Sequence, residues 1–437
     1  MSNGNIVTVW EQLDPLEEAY LVYAQTTTRD GVALGSPTVV GRGDFTELKP
    51  EVLALEDGKY VIAYASRSYQ NPNAEQCITY HVYENGMEFW SDIVYFNGAP
   101  QSSPAMAKLA DGNFAIAWVE HGETIVTQTF GGGVNAPPGV PLAPPSFLGI
   151  QGPDSSISMT HLSGNGFAVA YVDVFNNLII ATSDNGSYFS PGIEANVAIN
   201  LVSAESPERP FKPGVALATL TDGRVVVAWD SWDPHPYAQN DIVYRIFDAN
   251  QQAFVDGGPR HVGGQSIGMQ LNVDVVALND GGFVIAWQDN GMGDSVEIMG
   301  QRFDAFGNPA GSDDVSLFRL NQDTAGYQIN PALVAFGEGG FGAFWVDLQD
   351  EGSFQVESRF TAAQTPSNAV TDVWLTEQDS LLKMLARNTE TTLYGKLAEP
   401  LAPGSTIEYF NVAQGGWIPL NVQWHDRNWE APISLNM

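Results

Sequence analysis

The stretch from Asn279 to Gln288, NDGGFVIAWQ, constrains this chain more than any other, because it joins a turn to a strand and then recurs. Asp280, Gly281 and Gly282 tolerate the positive φ of a tight hairpin, and Phe283 to Trp287 is a short apolar run of strand formers. Leu271 to Leu278, LNVDVVAL, precedes it as a second strand-like run, so the unit reads as a hairpin with Asp-Gly at its tip. Copies end at Tyr64 (EDGKYVIAY), Trp118 (ADGNFAIAW), Tyr171 (GNGFAVAY), Trp229 (TDGRVVVAW) and Trp345 (GEGGFGAFW), and NGNIVTVW ends at Trp10. These marker aromatics stand 53 to 58 residues apart. A period of that length, holding one hairpin and two further strand-like runs, fits a four-stranded β-propeller blade.

The outer strands show in most copies, as EIMGQRF with its Asp304/Gly307 turn, IVYRIFDAN, CITYHVYENG and NLIIATSDNG. The longer second-to-third and fourth-to-first connections then share one face, where propellers present ligand sites. A fainter eighth copy runs from Leu381 to Leu385 and on to Tyr394, with an outer hairpin between Ser405 and Trp424. The C-terminal APISLNM, Ala431 to Met437, read head to tail with SNGNIVTVW, falls in register with Pro104 to Trp118. The expected fold is therefore all-β: residues 1–437 as a single closed propeller of eight four-stranded blades, its last strand completing the blade of Trp10. The alternative is seven blades, closed by Leu381 to Arg387 and followed by a tail.

Against 18 Lys and Arg stand 51 Asp and Glu, a formal charge of −33 that repels nucleic acid. Solubility in a salty or extracellular medium accounts for that charge, with Ca²⁺ or a cationic partner as the alternative. The single Cys77 rules out an intrachain disulfide framework and a cysteine-built zinc site. No apolar run approaches the roughly 20 residues that cross a bilayer, so membrane insertion is not expected. No signal peptide is visible, and an extracellular, cell-surface or virion location would need another export route, a precursor or release in a particle.

The series from Leu278 to Phe336 resembles the tandem DGGFVVAW-type repeats of large secreted bacterial proteins of the haemolysin-type calcium-binding and adhesin class. The resemblance is strong over blades five to seven, fair over one to four and faint in the eighth, and the GGxGxDxUx calcium repeats are missing. It implies a propeller-like module of a surface or secreted protein. Thr182, Asp184, Gly186 and Phe189 look like the Asp-box turn of sialidase-type propellers, with Glu84-Asn85-Gly86 and Phe89 as a weaker copy; such a turn speaks to fold, not reaction.

For chemistry the sequence offers no GxSxG, Walker or dinucleotide motif, and His81, His121, His161, His235, His261 and His425 show no metal-binding spacing. The loop most like a binding site is Asp230 to Asp241, where Trp232, His235 and Tyr237 stand beside Asp233; Trp424 and Trp429 in WHDRNWE have the same character. These could equally pack over blade tops. Asp289 and Asp294 are weak Ca²⁺ candidates, and Arg42-Gly43-Asp44 is a short adhesive-type match. The expectation is a non-enzymatic module that needs no cofactor, Ca²⁺ excepted, and that binds a glycan or protein through its long-loop face. An architectural virion or particle decoration protein, assembled into a larger particle, is the second reading. A sialidase-like glycoside hydrolase is third, since it needs converging arginines and only Arg224 lies near an Asp-Gly turn.

Overall fold

The computed structural model describes residues 4–14, 19–28, 31–43, 48–67, 75–150, 156–175, 177–186, 188–195, 214–231, 238–263, 268–290, 295–310, 317–323, 326–337, 339–348, 354–361, 370–375, 390–397, 408–411, 416–419, 423–425 and 428–434. They fall into two compact units, Met1–Asn308 with Phe318–Thr361, and Pro309–Leu317 with Ala362–Met437.

In chain order the first unit holds β1 (Ile6–Asp14), β2 (Ala19–Thr27) and β3 (Thr38–Gly43) as one sheet, and β4 (Glu51–Ala54), β5 (Lys59–Ser66), β6 (Cys77–Glu84) and β7 (Met87–Ile93) as the next. A third comprises β8 (Gln101–Lys108), β9 (Phe114–Glu120), β10 (Thr124–Phe130) and β11 (Ser146–Ile150), and a fourth β12 (Ile157–His161), β13 (Phe167–Val172), β14 (Leu178–Ser183) and β15 (Ile193–Glu194). β16 (Val215–Thr219), β17 (Val225–Ser231), β18 (Ala238–Asp248), β19 (Ala253–Phe254), β20 (Arg260–His261), β21 (Gly268–Ala277), β22 (Phe283–Asp289), β23 (Glu297–Phe303) and β24 (Leu317–Arg319) form one nine-stranded sheet, because β18 pairs in parallel with β21. β25 (Tyr327–Phe336), β26 (Gly340–Leu348) and β27 (Phe354–Thr361) follow. In the second unit β28 (Val370–Leu375), β29 (Glu390–Leu397), β32 (Gln423–His425) and β33 (Asn428–Ser434) make one sheet, and β30 (Glu408–Asn411) pairs with β31 (Gly416–Pro419).

The chain is an all-β propeller, but the expected ring of eight, or seven, equal four-stranded blades is overturned. Among the described residues of the first unit there are five separate sheets of three or four strands and one of nine. The expected closure also fails. β33 pairs along its whole length with β29 and over its first residues with β32, while β1 pairs with β2 alone among the described strands. The full-length partner of β33 is thus Glu390 to Lys396 of β29 and not the strand of Trp10.

The repeat itself is built as its residues dictate. Trp118, Trp229 and Trp287 are fully buried, and Tyr64, Tyr171 and Trp345 nearly so, which makes the marker aromatic the anchor between neighbouring sheets. Removing such a side chain costs about 3–5 kcal/mol. At the hairpin tips Asp111, Asp222 and Asp280 each accept the backbone N–H two residues on, and Gly112, Gly223 and Gly281 take positive φ. In the Asp-box-like turn it is the Ser183 hydroxyl, not Asp184, that accepts Gly186 N–H, while Phe189 packs edge-on against Phe167.

A feature absent from the sequence reading recurs at the start of the inner strands. Lys49, Ser103, Asn272 and Asn330 each stand 15 residues before a marker aromatic and adopt φ of 45°, 52°, 55° and 55°. β8, β21 and β25 shift register there, so Ser103, Asn272 and Asn330 mark β-bulges that bend the inner strand as it enters the centre of the unit, and Lys49 takes the same conformation just before β4.

Candidate functional site

The strands β4, β8, β12, β16, β21 and β25, together with β1, line a single cavity of about 560 Å³. Aliphatic side chains line it, with Val7, Val52, Met106, Ile157, Val215, Leu217 and Leu333 among them, beside exposed polar groups. Counting back 13 residues from successive marker aromatics gives Glu51, Ala105, Ser158, Ala216, Asp274 and Ala332, and all six line the cavity. Two copies of one small-residue position have thus become carboxylates.

Adjacent inner strands lack a shared backbone ladder, and polar side chains at this position tie them instead. Ser158 Oγ accepts Leu217 N–H at 3.1 Å. Asp274 Oδ2 accepts Leu333 N–H at 2.6 Å, and Oδ1 accepts its neighbour Val275 N–H at 2.9 Å. Glu51, one methylene longer, accepts no hydrogen bond from a described residue and is exposed to the cavity.

Those surroundings set the titration of both groups. Enclosure by protein, and secondarily the charge of Asp274, push the Glu51 carboxyl up to about 7. Glu51 is nevertheless open to water inside the cavity, which offsets part of the desolvation. Burial raises Asp274 to about 6, against its two backbone N–H donors, which favour the ionised form. Both carboxyls are thus held above the ordinary carboxylate range, Glu51 the higher of the two.

The bulges form a polar rim at the start of these strands. Lys49 Nζ donates to Ser103 Oγ at 3.3 Å, and Asn272 Nδ2 donates to Asn330 Oδ1 at 2.9 Å and to Gln288 Oε1 at 2.7 Å. At Lys49, Asn272 and Asn330 the backbone is gripped by the residue that follows the preceding marker aromatic. Glu11 accepts Leu48 and Lys49 N–H at 2.6 and 3.0 Å, Asp230 accepts Asn272 and Val273 N–H at 3.1 and 3.3 Å, and Gln288 accepts Asn330 N–H at 3.4 Å. Asp230 also accepts Gly214 N–H at 3.0 Å; its full burial outweighs these three donors and raises its carboxyl to about 7.

A second cavity of about 570 Å³ lies at the Asp-Gly turn end, lined by Thr160, His161, Thr219, Thr221 and Asn279 among others, with no carboxylate in its lining. Four of the described arginines serve structure. Arg224 pairs with Asp222 and donates to Ala305 O at 2.7 Å, Arg245 pairs with Asp256 at 2.8 Å, Arg260 donates to Gly307 O at 3.0 Å and Arg302 pairs with Asp280. Among the described residues no arginine lines the carboxylate cavity.

Of the residues singled out from sequence, Trp232, Asp233, His235 and Tyr237 lie outside the described residues, as does Asp294. Trp424 and Trp429 are register partners in β32 and β33 of the second unit. Asp289 belongs to a latch: it accepts Trp287 Nε1–H at 3.2 Å and Gln270 Nε2–H at 3.0 Å, and Gln270 Oε1 accepts Ile242 N–H from the preceding repeat. Glu120, with Trp118 and Gln101, repeats this arrangement, with Gln101 reaching Ile78 N–H. Arg42 and Gly43 end β3, and Asp44 lies outside the described residues. No cluster of three metal-ligating side chains occurs among the described residues. Sequence reasoning missed Glu51, Asp274 and the rim.

No protein-family model matches the chain, and no curated protein matches it. Solved structures similar to it include an α-L-arabinofuranosidase from Fusarium graminearum in complex with an iminosugar inhibitor, at 14% identity over 72% of this chain and 92% of that one, TM-score 0.47. An α-L-arabinanase from Penicillium chrysogenum complexed with arabinobiose shows 12% identity over 72% and 93%, TM-score 0.44. The β-propeller domain of the Trilobed protease from Pyrococcus furiosus, whose velcro topology is open, shows 9% identity over 82% and 91%, TM-score 0.46. The expectation that such a chain is not an enzyme is withdrawn. Its basis was the lack of a local catalytic motif, and a pair of carboxylates brought together from distant repeats leaves no such motif.

Proposed function

We propose that this propeller binds a saccharide at its bulge rim and hydrolyses a glycosidic bond with the carboxyls of its central cavity. The observation that carries this reading is the pair Glu51 and Asp274, at one repeat position, in one cavity, in unlike surroundings. Glycoside hydrolysis needs one carboxyl to protonate the leaving oxygen and one carboxylate to act as base or nucleophile. Glu51, raised to about 7 and unattached, suits the acid; Asp274, oriented by Val275 and Leu333 N–H, suits the carboxylate. The amides of Asn272, Asn330 and Gln288 and the hydroxyl of Ser103 are the donor and acceptor types that sugar hydroxyls pair with.

The test is turnover of a panel of nitrophenyl pyranosides and furanosides by the full chain. At least one is expected to be hydrolysed, with the rate lost in both Glu51→Gln and Asp274→Asn. No turnover across the panel, or turnover that survives both substitutions, would remove the cavity as a catalytic site.

A further inference from the structure

The strongest feature outside the cavity is the outer edge of the second sheet. Every residue from Asn85 to Ile93 is exposed, and the run carries Met87 (74% exposed), Phe89 (59%), Trp90 (37%) and Ile93 (43%), with Tyr95 and Phe96 exposed just beyond. Isolated exposed apolar residues need no explanation, but this many large ones on one edge strand do.

An open edge strand could invite a further strand through its backbone. Here that route is blunted. β7 bulges against β6 between Val82 and Tyr83, and the Asp92 carboxylate accepts Ile93 N–H at 2.8 Å. Recognition therefore falls to side chains, and the platform is fixed in place. Trp90 lies so close to the backbone of Gly139 that a Cβ there would sit 2.3 Å from Cδ1, and Tyr80 Oη donates to Gly139 O at 2.6 Å, holding the supporting loop. The charges on the strand are Glu88 and Asp92, both exposed and both negative.

We propose that β7 is a docking surface for an extended protein segment that carries apolar side chains between lysines or arginines. Charge complementarity selects this occupant. A second copy of the chain laid antiparallel on β7 would set Glu88 against Asp92 and bring together two particles of charge −33. A segment with cations flanking its apolar residues reaches Glu88, which also pairs with His81 Nδ1 at 3.4 Å on one face of the sheet, and Asp92 on the other, with its apolar residues beside Phe89 and Trp90.

The experiment measures binding to the full chain of a ten-residue peptide alternating leucine and lysine, with a leucine–glutamate peptide as its charge-inverted partner. Binding by the lysine peptide alone is expected. The double variant Met87→Ser, Phe89→Ser keeps every charge and, being confined to exposed positions, should melt like the parent; it should bind at least tenfold more weakly. Glu88→Gln with Asp92→Asn keeps the apolar surface and should weaken binding several-fold. Undiminished binding by the serine variant would show charge alone at work and overturn the proposal, as would equal binding of the glutamate peptide. Sedimentation showing parent self-association that the serine variant abolishes would assign the surface to a second copy instead.

Discussion

The second and sixth repeats place a carboxyl at the same position, and the two have little else in common. In the sixth, Asp274 is short enough to turn back on Val275 N–H and reach across to Leu333 N–H, so it knits β21 to β25. In the second, Glu51 stands in the cavity without such bonds. Repeat geometry decides where a side chain is held; its length and the neighbouring strand decide whether it is tethered or available. One carboxylate is thereby kept oriented and the other kept protonatable, the division of labour that acid and base catalysis requires.

The largest effect that tests this contrast is on turnover. Glu51→Gln should lower kcat by about 10²–10⁴-fold, the usual contribution of a positioned proton donor, with KM little changed. A change in KM alone would make Glu51 a binding residue and break the division. Next comes stability. Asp274→Ala leaves two N–H groups unpaired and should cost about 2–6 kcal/mol in chemical denaturation, at about 1–3 kcal/mol per group, whereas Glu51→Ala should cost less than about 1 kcal/mol. Equal losses would mean the two carboxyls are equally structural.

The smallest effect is the pH dependence of stability. The folded-state pKa of Glu51, about 7, lies above the ordinary carboxylate range, so the folded chain holds a proton that the unfolded chain releases. Its contribution is complete below roughly pH 4 and is lost as pH rises to 7. Glu51→Gln should therefore match the parent at pH 4 and melt higher at pH 8. Water in the cavity screens the charge, which limits the difference to about 1 kcal/mol, or roughly 1–3 °C. Parallel melting curves across that range would break the contrast by showing Glu51 to titrate like any surface acid.

Much of this was legible in the chain. The marker aromatics and the Asp-Gly tips fixed the hairpins, since Trp287 has to be buried and Gly281 has to take positive φ. The catalytic candidates were visible too, had the repeats been compared column by column: Glu51 and Asp274 are the acids in a column otherwise Ala or Ser. The same comparison pairs Gln101 with Glu120, Gln270 with Asp289 and Gln328 with Asp347, which marks Asp289 as part of a latch before any metal need be invoked. Closure was not legible. A register match between Ala431 to Met437 and an inner strand reports strand type, and the choice of partner was settled by Glu390 to Lys396, a segment with no Asp-Gly signature to announce it. The rim escaped because Lys49, Ser103, Asn272 and Asn330 share a backbone conformation but no side-chain type common to all four.

The most direct measurement is a carboxyl ¹³C NMR titration of the full chain, with Glu51 and Asp274 assigned through Glu51→Gln and Asp274→Asn. Glu51 is expected to titrate near 7 and Asp274 near 6, with the Asp274 resonance responding when Glu51 is replaced. Two carboxyls titrating together near 4, each indifferent to loss of the other, would contradict the unequal pair on which the proposed chemistry depends.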